Sequence, residues 1–361
     1  MASSLTSLSV EALDKAVAMA ERLTTDYSLR SIQRGVLSKA DKETKTDSNL
    51  ATLTSSFRKI LSKKAGPDDV VTSSQAFETY GEIKVYRHLK HHGLKPQCVP
   101  TVPNQGRPDF KCTTPDGKDF YVEVKSFDIV EGEFAQTAML NDGLEASVDI
   151  ESQQRRGQNI ASSIQVIAPY GSMAHGECQI ERVVNTIEKK VRGNFKTSQF
   201  KQGPTFAVAI MDKLDVPGRQ CALSPYYHQD IYDGSACLSG SLWASAYAQR
   251  GYLLLDYYDF EGKPTNFGQW DREGYFSKTN AHPAQGIVFF DQSISNPLVY
   301  GLTNSHCQKF ENWDENDTQH VLSIICDAWN CESNAFGYSL ADYDSRLDFP
   351  QGKPSKSAWD V

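Results

Sequence analysis

Between Arg107 and Phe127 the chain carries a turn with a mechanism, Thr114-Pro115-Asp116-Gly117, flanked by two short strand-like runs. Proline presets φ, aspartate bonds its own backbone and glycine takes the left-handed position, so the flanks return on each other as a hairpin. In the second run Phe120, Val122 and Val124 point to one face and Tyr121, Glu123 and Lys125 to the other. A three-residue loop, Pro115-Asp116-Gly117, pairs 114 with 118 and sets Asp109 opposite Glu123, with Lys125 two residues on. One outcome for such a face is solvation, because Glu-x-Lys is common on exposed strands. The other is an ion site: adjacent carboxylates repel unless a cation lies between them, and a hard divalent cation suits oxygen ligands.

The surroundings add order to this hairpin. A helix is expected from Ser73 or Ser74 to about His92, ended by Gly93, with Glu78, Glu82, Val85 and Leu89 in one stripe. Residues 96–102 read as a short strand. After the hairpin comes a Gly-, Ser- and acid-rich insertion, 128–176, with a strand-like piece at 164–168. A helix follows from Glu177 to about Lys196, apolar at Ile180, Val183, Val184, Ile187 and Val191 and basic at Arg182, Lys189, Lys190, Arg192 and Lys196. The apolar run from Thr205 to Met211 reads as a buried strand.

Pro108-Asp109 followed by Glu123-Val124-Lys125 resembles the PD-(D/E)xK nuclease superfamily, and the resemblance extends over roughly 75–211. It implies an α/β fold with a restriction endonuclease-like core, a mixed sheet flanked by helices in α-β-β-β-α-β order. It implies Mg²⁺, with Mn²⁺ able to substitute, held by Asp109, Glu123 and the Val124 carbonyl. Glu82, on the helix before the hairpin, matches the family's further acidic position better than Glu78 does. Lys125 would assist hydrolysis of a phosphodiester. The catalytic set so implied is Asp109, Glu123, Lys125 and Glu82; Lys189, Lys190, Arg192 and Lys196 are weaker candidates for nucleic-acid contact.

The net charge of −8 is unusual for such an enzyme until it is divided along the chain. Residues 1–64 carry +4, 65–125 none, 126–211 −2 and 212–361 −10. An enzyme that releases its substrate needs only a local basic lane, so the total does not exclude DNA or RNA. No apolar run approaches the ~18 residues of a membrane span. Eight scattered cysteines without a CxxC pair fit reduced thiols in the cytoplasm. His306, Cys307, His320, Cys326 and Cys331 follow no familiar zinc spacing.

Three regions are expected: a helical N-terminal part (1–66), with helices over 7–24 and about 49–64 around a polar stretch; the nuclease-like core (67–211) with its insertion; and an acidic, aromatic-rich extension (212–361) that enlarges the same sheet. In the last, 251–258, 286–290 and 298–302 read as strands, 239–249 as a helix and 321–326 as either. Tyr226, Tyr227, Trp243, Tyr257, Tyr258, Trp270 and Trp313 are core residues or base-stacking platforms. The function expected is a metal-dependent endonuclease of restriction, defence or repair type, its partners nucleic acid (DNA ahead of RNA) and a second copy, with no membrane. The alternative is a non-catalytic nucleic-acid-binding or assembly module with a nuclease-like fold.

Overall fold

A computed structural model describes residues 7–20, 27–66, 69–100, 106–127, 132–163, 179–212, 227–229, 236–238, 241–247, 249–250, 253–255, 267–269, 273–280, 282–291 and 298–332. The chain divides into two compact units, the first made of 1–83 and 128–173, the second of 84–127 and 174–361. The segment expected as an insertion in the core is therefore grouped with the N-terminal helices. No helix among the described residues is long and apolar enough to cross a membrane.

The first unit is helical. Helices α1 (Leu8–Ala20), α2 (Tyr27–Arg30), α3 (Arg34–Glu43) and α4 (Ser48–Leu61) precede α5 (Val70–His91), whose first part belongs here, and α6 (Gly132–Arg155) returns to it. The expected first helix starts as predicted. Ser7 Oγ accepts the Val10 N–H, and the Asp41 carboxylate on α3 takes the Ser7 and Ser9 hydroxyls and the Ser9 N–H at 2.6–2.8 Å. Helix α4 is capped by Asp47, which accepts the Leu50 N–H at 3.1 Å, and it buries Leu50, Leu53, Phe57 and Leu61. Two expectations change. The polar stretch 25–48 contains α2 and α3, because Leu37 and Ala40 suffice to bury one stripe of a mostly polar helix. The segment 128–176 contains the 24-residue α6; its strand-like piece at 164–168 lies outside the described residues.

The second unit is an α/β layer structure around a seven-stranded mixed sheet, in the order β1-β2-β3-β4-β9-β10-β11. Strands β1 (Gln97–Cys98), β2 (Phe110–Thr113) and β3 (Asp119–Ser126) form an antiparallel meander, and β1 is shorter than expected. Helix α7 (Gln179–Asn194) leads to β4 (Thr205–Ile210), which lies parallel to β3 and is buried at every position, as its unbroken apolar run requires. Strand β9 (Gly286–Asp291) pairs parallel with β4, β10 (Leu298–Thr303) antiparallel with β9, and β11 (Ala328–Asn330) parallel with β10. Only part of the C-terminal region enlarges this sheet. Strands β5 (Tyr227–Gln229), β6 (Ala236–Leu238), β7 (Leu253–Leu255) and β8 (Phe267–Gln269) make a second, four-stranded sheet. The ambiguous 321–326 segment is helical, within α9 (Glu315–Ile325), and α8 (Ser241–Tyr247) lies where a helix is expected.

Register fixes the faces. Phe110, Val122, Phe206, Val208 and Phe290 lie on one side of the large sheet, where Tyr86 and His88 of α5 meet Phe110 and Phe290. Helix α9 packs on the same side, so close at Gly301 that a Cβ there would stand 2.8 Å from Cys326 Sγ and 3.0 Å from Leu322 Cδ2. Under this face Lys84 of α5 and Asp212, just past β4, form an ion pair at 2.6 and 2.8 Å, their side chains 4% and 2% exposed. On the opposite face Phe127 meets Phe195, which follows α7. That second face carries Glu123 and Lys125.

Candidate functional site

The hairpin forms in the expected register. Thr113 faces Asp119 and Phe110 faces Val122, Thr114 N–H donates to Lys118 O, and Gly117 has the left-handed φ of 92° that the turn demands. One step beyond Phe110, where Asp109 comes level with Glu123, the regular ladder ends. Asp109 N–H donates to Val122 O at 3.0 Å, and the Asp109 carboxylate takes over the Val124 N–H at 2.7 Å. A side-chain oxygen thus replaces a backbone acceptor, which pins the carboxylate to β3.

Glu123 is 1% exposed, and its carboxyl lies beside that of Asp109. Its Oε1 is contacted by the Lys125 ammonium and by the Gln199 amide. Its neighbours across the parallel pair are Ala207 and, beside Lys125, Ala209, side chains that take little room. Asp109 keeps some surface, but the protein crowded around its carboxyl raises its pKa above the usual carboxylate value; the Lys125 charge and the Val124 N–H oppose that shift without cancelling it. The face that a hairpin alone would leave to solvent is therefore covered, and it holds two carboxylates against one ammonium. Val124 stands between them with its side chain in the opposite, apolar face.

The other expected residues lie on α5, on α7 and just beyond it. Glu82 is half-buried on the part of α5 that belongs to the first unit, whereas Glu78 is exposed. On α7 Lys189 is exposed and Lys190 half-buried; Arg192 is engaged, paired with the buried Glu188 and donating to Glu273 O at 3.0 Å. Lys196 is exposed just beyond the helix. Trp243 and Trp313 are core rather than stacking platforms, since both are buried with their indole N–H groups bonded at 3.0 Å to Cys331 O and Thr318 Oγ1.

Gln199 is the residue that sequence reasoning missed. It sits in a 3-10 turn, Thr197–Phe200, and its own Oε1 accepts the Lys196 N–H at 2.8 Å, so its amide nitrogen is the end that faces Glu123. Its only signal is a Thr-Ser-Gln at the end of a basic helix, which has no periodicity to exploit.

The donor set suits a hard cation: carboxylate oxygens with a neighbouring backbone carbonyl, no thiol or imidazole, and one lysine already offsetting the excess charge. It is a pair and not a cage, because no group of three or more His, Cys, Asp or Glu able to hold a metal ion occurs among the described residues. The cysteine and histidine residues near the C-terminal end form no such group there either. No protein-family model, no curated protein and no solved structure matches the chain significantly.

Proposed function

We propose that the second unit is a metal-dependent nuclease with a restriction endonuclease-like core, hydrolysing phosphodiester bonds in nucleic acid, DNA ahead of RNA, as a cytoplasmic endonuclease. The observation that carries this reading is the meeting of Asp109 and Glu123 at the end of the β2–β3 ladder with the Lys125 ammonium beside them. The burial that raises the Asp109 pKa disfavours leaving both carboxylates charged around a single ammonium. A divalent cation removes that imbalance.

Asp109 and Glu123 would hold Mg²⁺ or Mn²⁺, with the Val124 carbonyl as the further expected ligand. When bound, the ion supplies Lewis-acid charge beside the scissile phosphate and makes water available as a nucleophile near neutral pH. Lys125, one-third exposed, reaches both the acidic pair and solvent. It orients the attacking water and offsets charge developing on the phosphate. Lys189 and Lys196, both exposed, offer positive charge to a nucleic-acid backbone, with Lys190 half-buried beside them and Arg192 paired with Glu188.

The test is cleavage of single- and double-stranded DNA and RNA with Mg²⁺ or Mn²⁺, wild type beside Asp109→Asn and Lys125→Met. Each substitution is expected to lower the rate by at least about a hundredfold, the scale of losing one preorganised charge-stabilising group. Wild-type rates in either variant would remove that residue from the chemistry, and inertness of the wild type on every substrate would favour a binding module.

A further inference from the structure

We propose that Gln199 is a positioning residue of the carboxylate pair, acting through Glu123, and that the contact between Ser198 and Gly106 sets where it stands. The inference rests on reading Asp109 and Glu123 as an ion site, and it assigns that site a third arm. The arm is the 3-10 turn Thr197–Phe200.

Three observations converge on this turn. Gln199 is held from both ends of its amide: Oε1 accepts the Lys196 N–H at 2.8 Å and Nε2 donates to Glu123 Oε1. The side chain therefore cannot flip without losing a bond, and it fixes one oxygen of a carboxylate that is itself 1% exposed. Next to it, Ser198 rests directly on Gly106, three residues before Asp109. A Cβ at Gly106 would lie 2.2 Å from Ser198 Oγ and 2.8 Å from its Cβ. Behind it, Phe200 is wholly buried and packs with Phe195 and His282, so the turn cannot retreat from the sheet. The turn is thus wedged between the segment that delivers Asp109 and the strand that delivers Glu123.

The chemistry follows from that placement. Two carboxylates drawn toward one ion must keep their spacing when the ion leaves, or the site closes on Lys125. Gln199 supplies a neutral donor that holds Glu123 without competing for the ion's charge, which a second lysine would do. Groups that orient ligands in this way typically change metal affinity by about ten- to a hundredfold when removed.

The experiment measures Mg²⁺ and Mn²⁺ binding to the full chain by isothermal titration calorimetry, with thermal melting as a check on the fold. Asp109→Asn is the control that removes a ligand. Gln199→Met keeps the length and loses the amide; it is expected to weaken binding about tenfold while Asp109→Asn abolishes it. Gly106→Ala leaves Gln199 and Glu123 intact but drives a methyl into Ser198, and it is expected to weaken binding similarly. Adding Ser198→Gly leaves the new methyl no contact closer than the 3.4 Å to the Ser198 carbonyl carbon and is expected to restore affinity to within about twofold. A role in folding alone would not give this rescue at unchanged melting temperature. Wild-type affinity in Gln199→Met, or failure of Ser198→Gly to restore what Gly106→Ala removes, overturns the inference while leaving the ion site standing. A wild-type chain that binds neither ion overturns the site itself, and the inference with it.

Discussion

Replacing Lys84 by methionine removes one charge from the buried ion pair with Asp212 and leaves the other. At the observed separations of 2.6 and 2.8 Å, unit charges attract by roughly 6 kcal/mol in a medium of effective dielectric about 20. Withdrawing two ions from water costs several kcal/mol each, so the intact pair is close to neutral overall. A single substitution forfeits the attraction but keeps the desolvation of the survivor, for an expected loss of about 3–5 kcal/mol. In a unit of this size that lowers the melting temperature by roughly 10 °C. Asp212→Leu should cost a similar amount. The double variant Lys84→Met/Asp212→Leu should recover most of it, ending within about 2 kcal/mol of wild type, since neither side chain then carries a charge. Chemical denaturation of the four proteins measures the coupling directly. Single losses below about 1 kcal/mol, or losses that simply add in the double variant, would show that the pair is not desolvated as its 4% and 2% exposures require.

Acid should destabilise the second unit through His88 and His282. Burial lowers both pKa values from 6.5 to about 4; the His88 Nε2–H donation to Ile325 O at 2.7 Å opposes that shift without cancelling it, and His282 Nδ1 accepts the Ala284 N–H. Between pH 6.5 and 4 the unfolded chain binds protons that the folded one refuses, so stability is complete above 6.5 and falls as pH drops. Each histidine should cost about 2–3 kcal/mol by pH 4.5, and His88→Gln should remove its share from a urea series. At Gly301 an alanine methyl meets Cys326 Sγ and Leu322 Cδ2, so Gly301→Ala should lower the unfolding free energy measured by urea denaturation by about 1–3 kcal/mol, partly relieved by Cys326→Ala. Gly117→Ala forces a φ of 92° on an L-residue and should cost about 1–2 kcal/mol by the same measurement.

What could be read in advance was local. Pro115-Asp116-Gly117 dictates the register of β2 on β3, Gly93 with its φ of 79° stops α5, and the apolar run of β4 announces a strand covered on both faces. Each signal lies within a few residues of what it determines. The remainder depends on residues far apart meeting. Lys84 and Asp212 are 128 positions apart and Glu123 and Gln199 are 76, and neither pair leaves a mark on periodicity. The same reason hid the burial of Glu123, whose place on one face with Tyr121 and Lys125 suggests a wet face as readily as a covered one. The second sheet was missed because three-residue strands such as Leu253–Leu255 carry too little pattern to say which neighbour they join.

The connection from β3 to β4 runs through the first unit, since 128–173 is grouped there while both strands belong to the second. A chain emerging from the ribosome completes the β2–β3 hairpin long before β4 or the 3-10 turn at Thr197–Phe200 exists. Asp109 and Glu123 are then neighbours in water, on a marginal two-stranded ribbon. The parallel β3–β4 pair must wait for closure of a long loop, a slow step for any chain. Synthesis would therefore pass through an interval in which the two acids are present and the β4 strand and Gln199 that cover Glu123 are not, so the burial that raises the Asp109 pKa belongs to the finished fold alone.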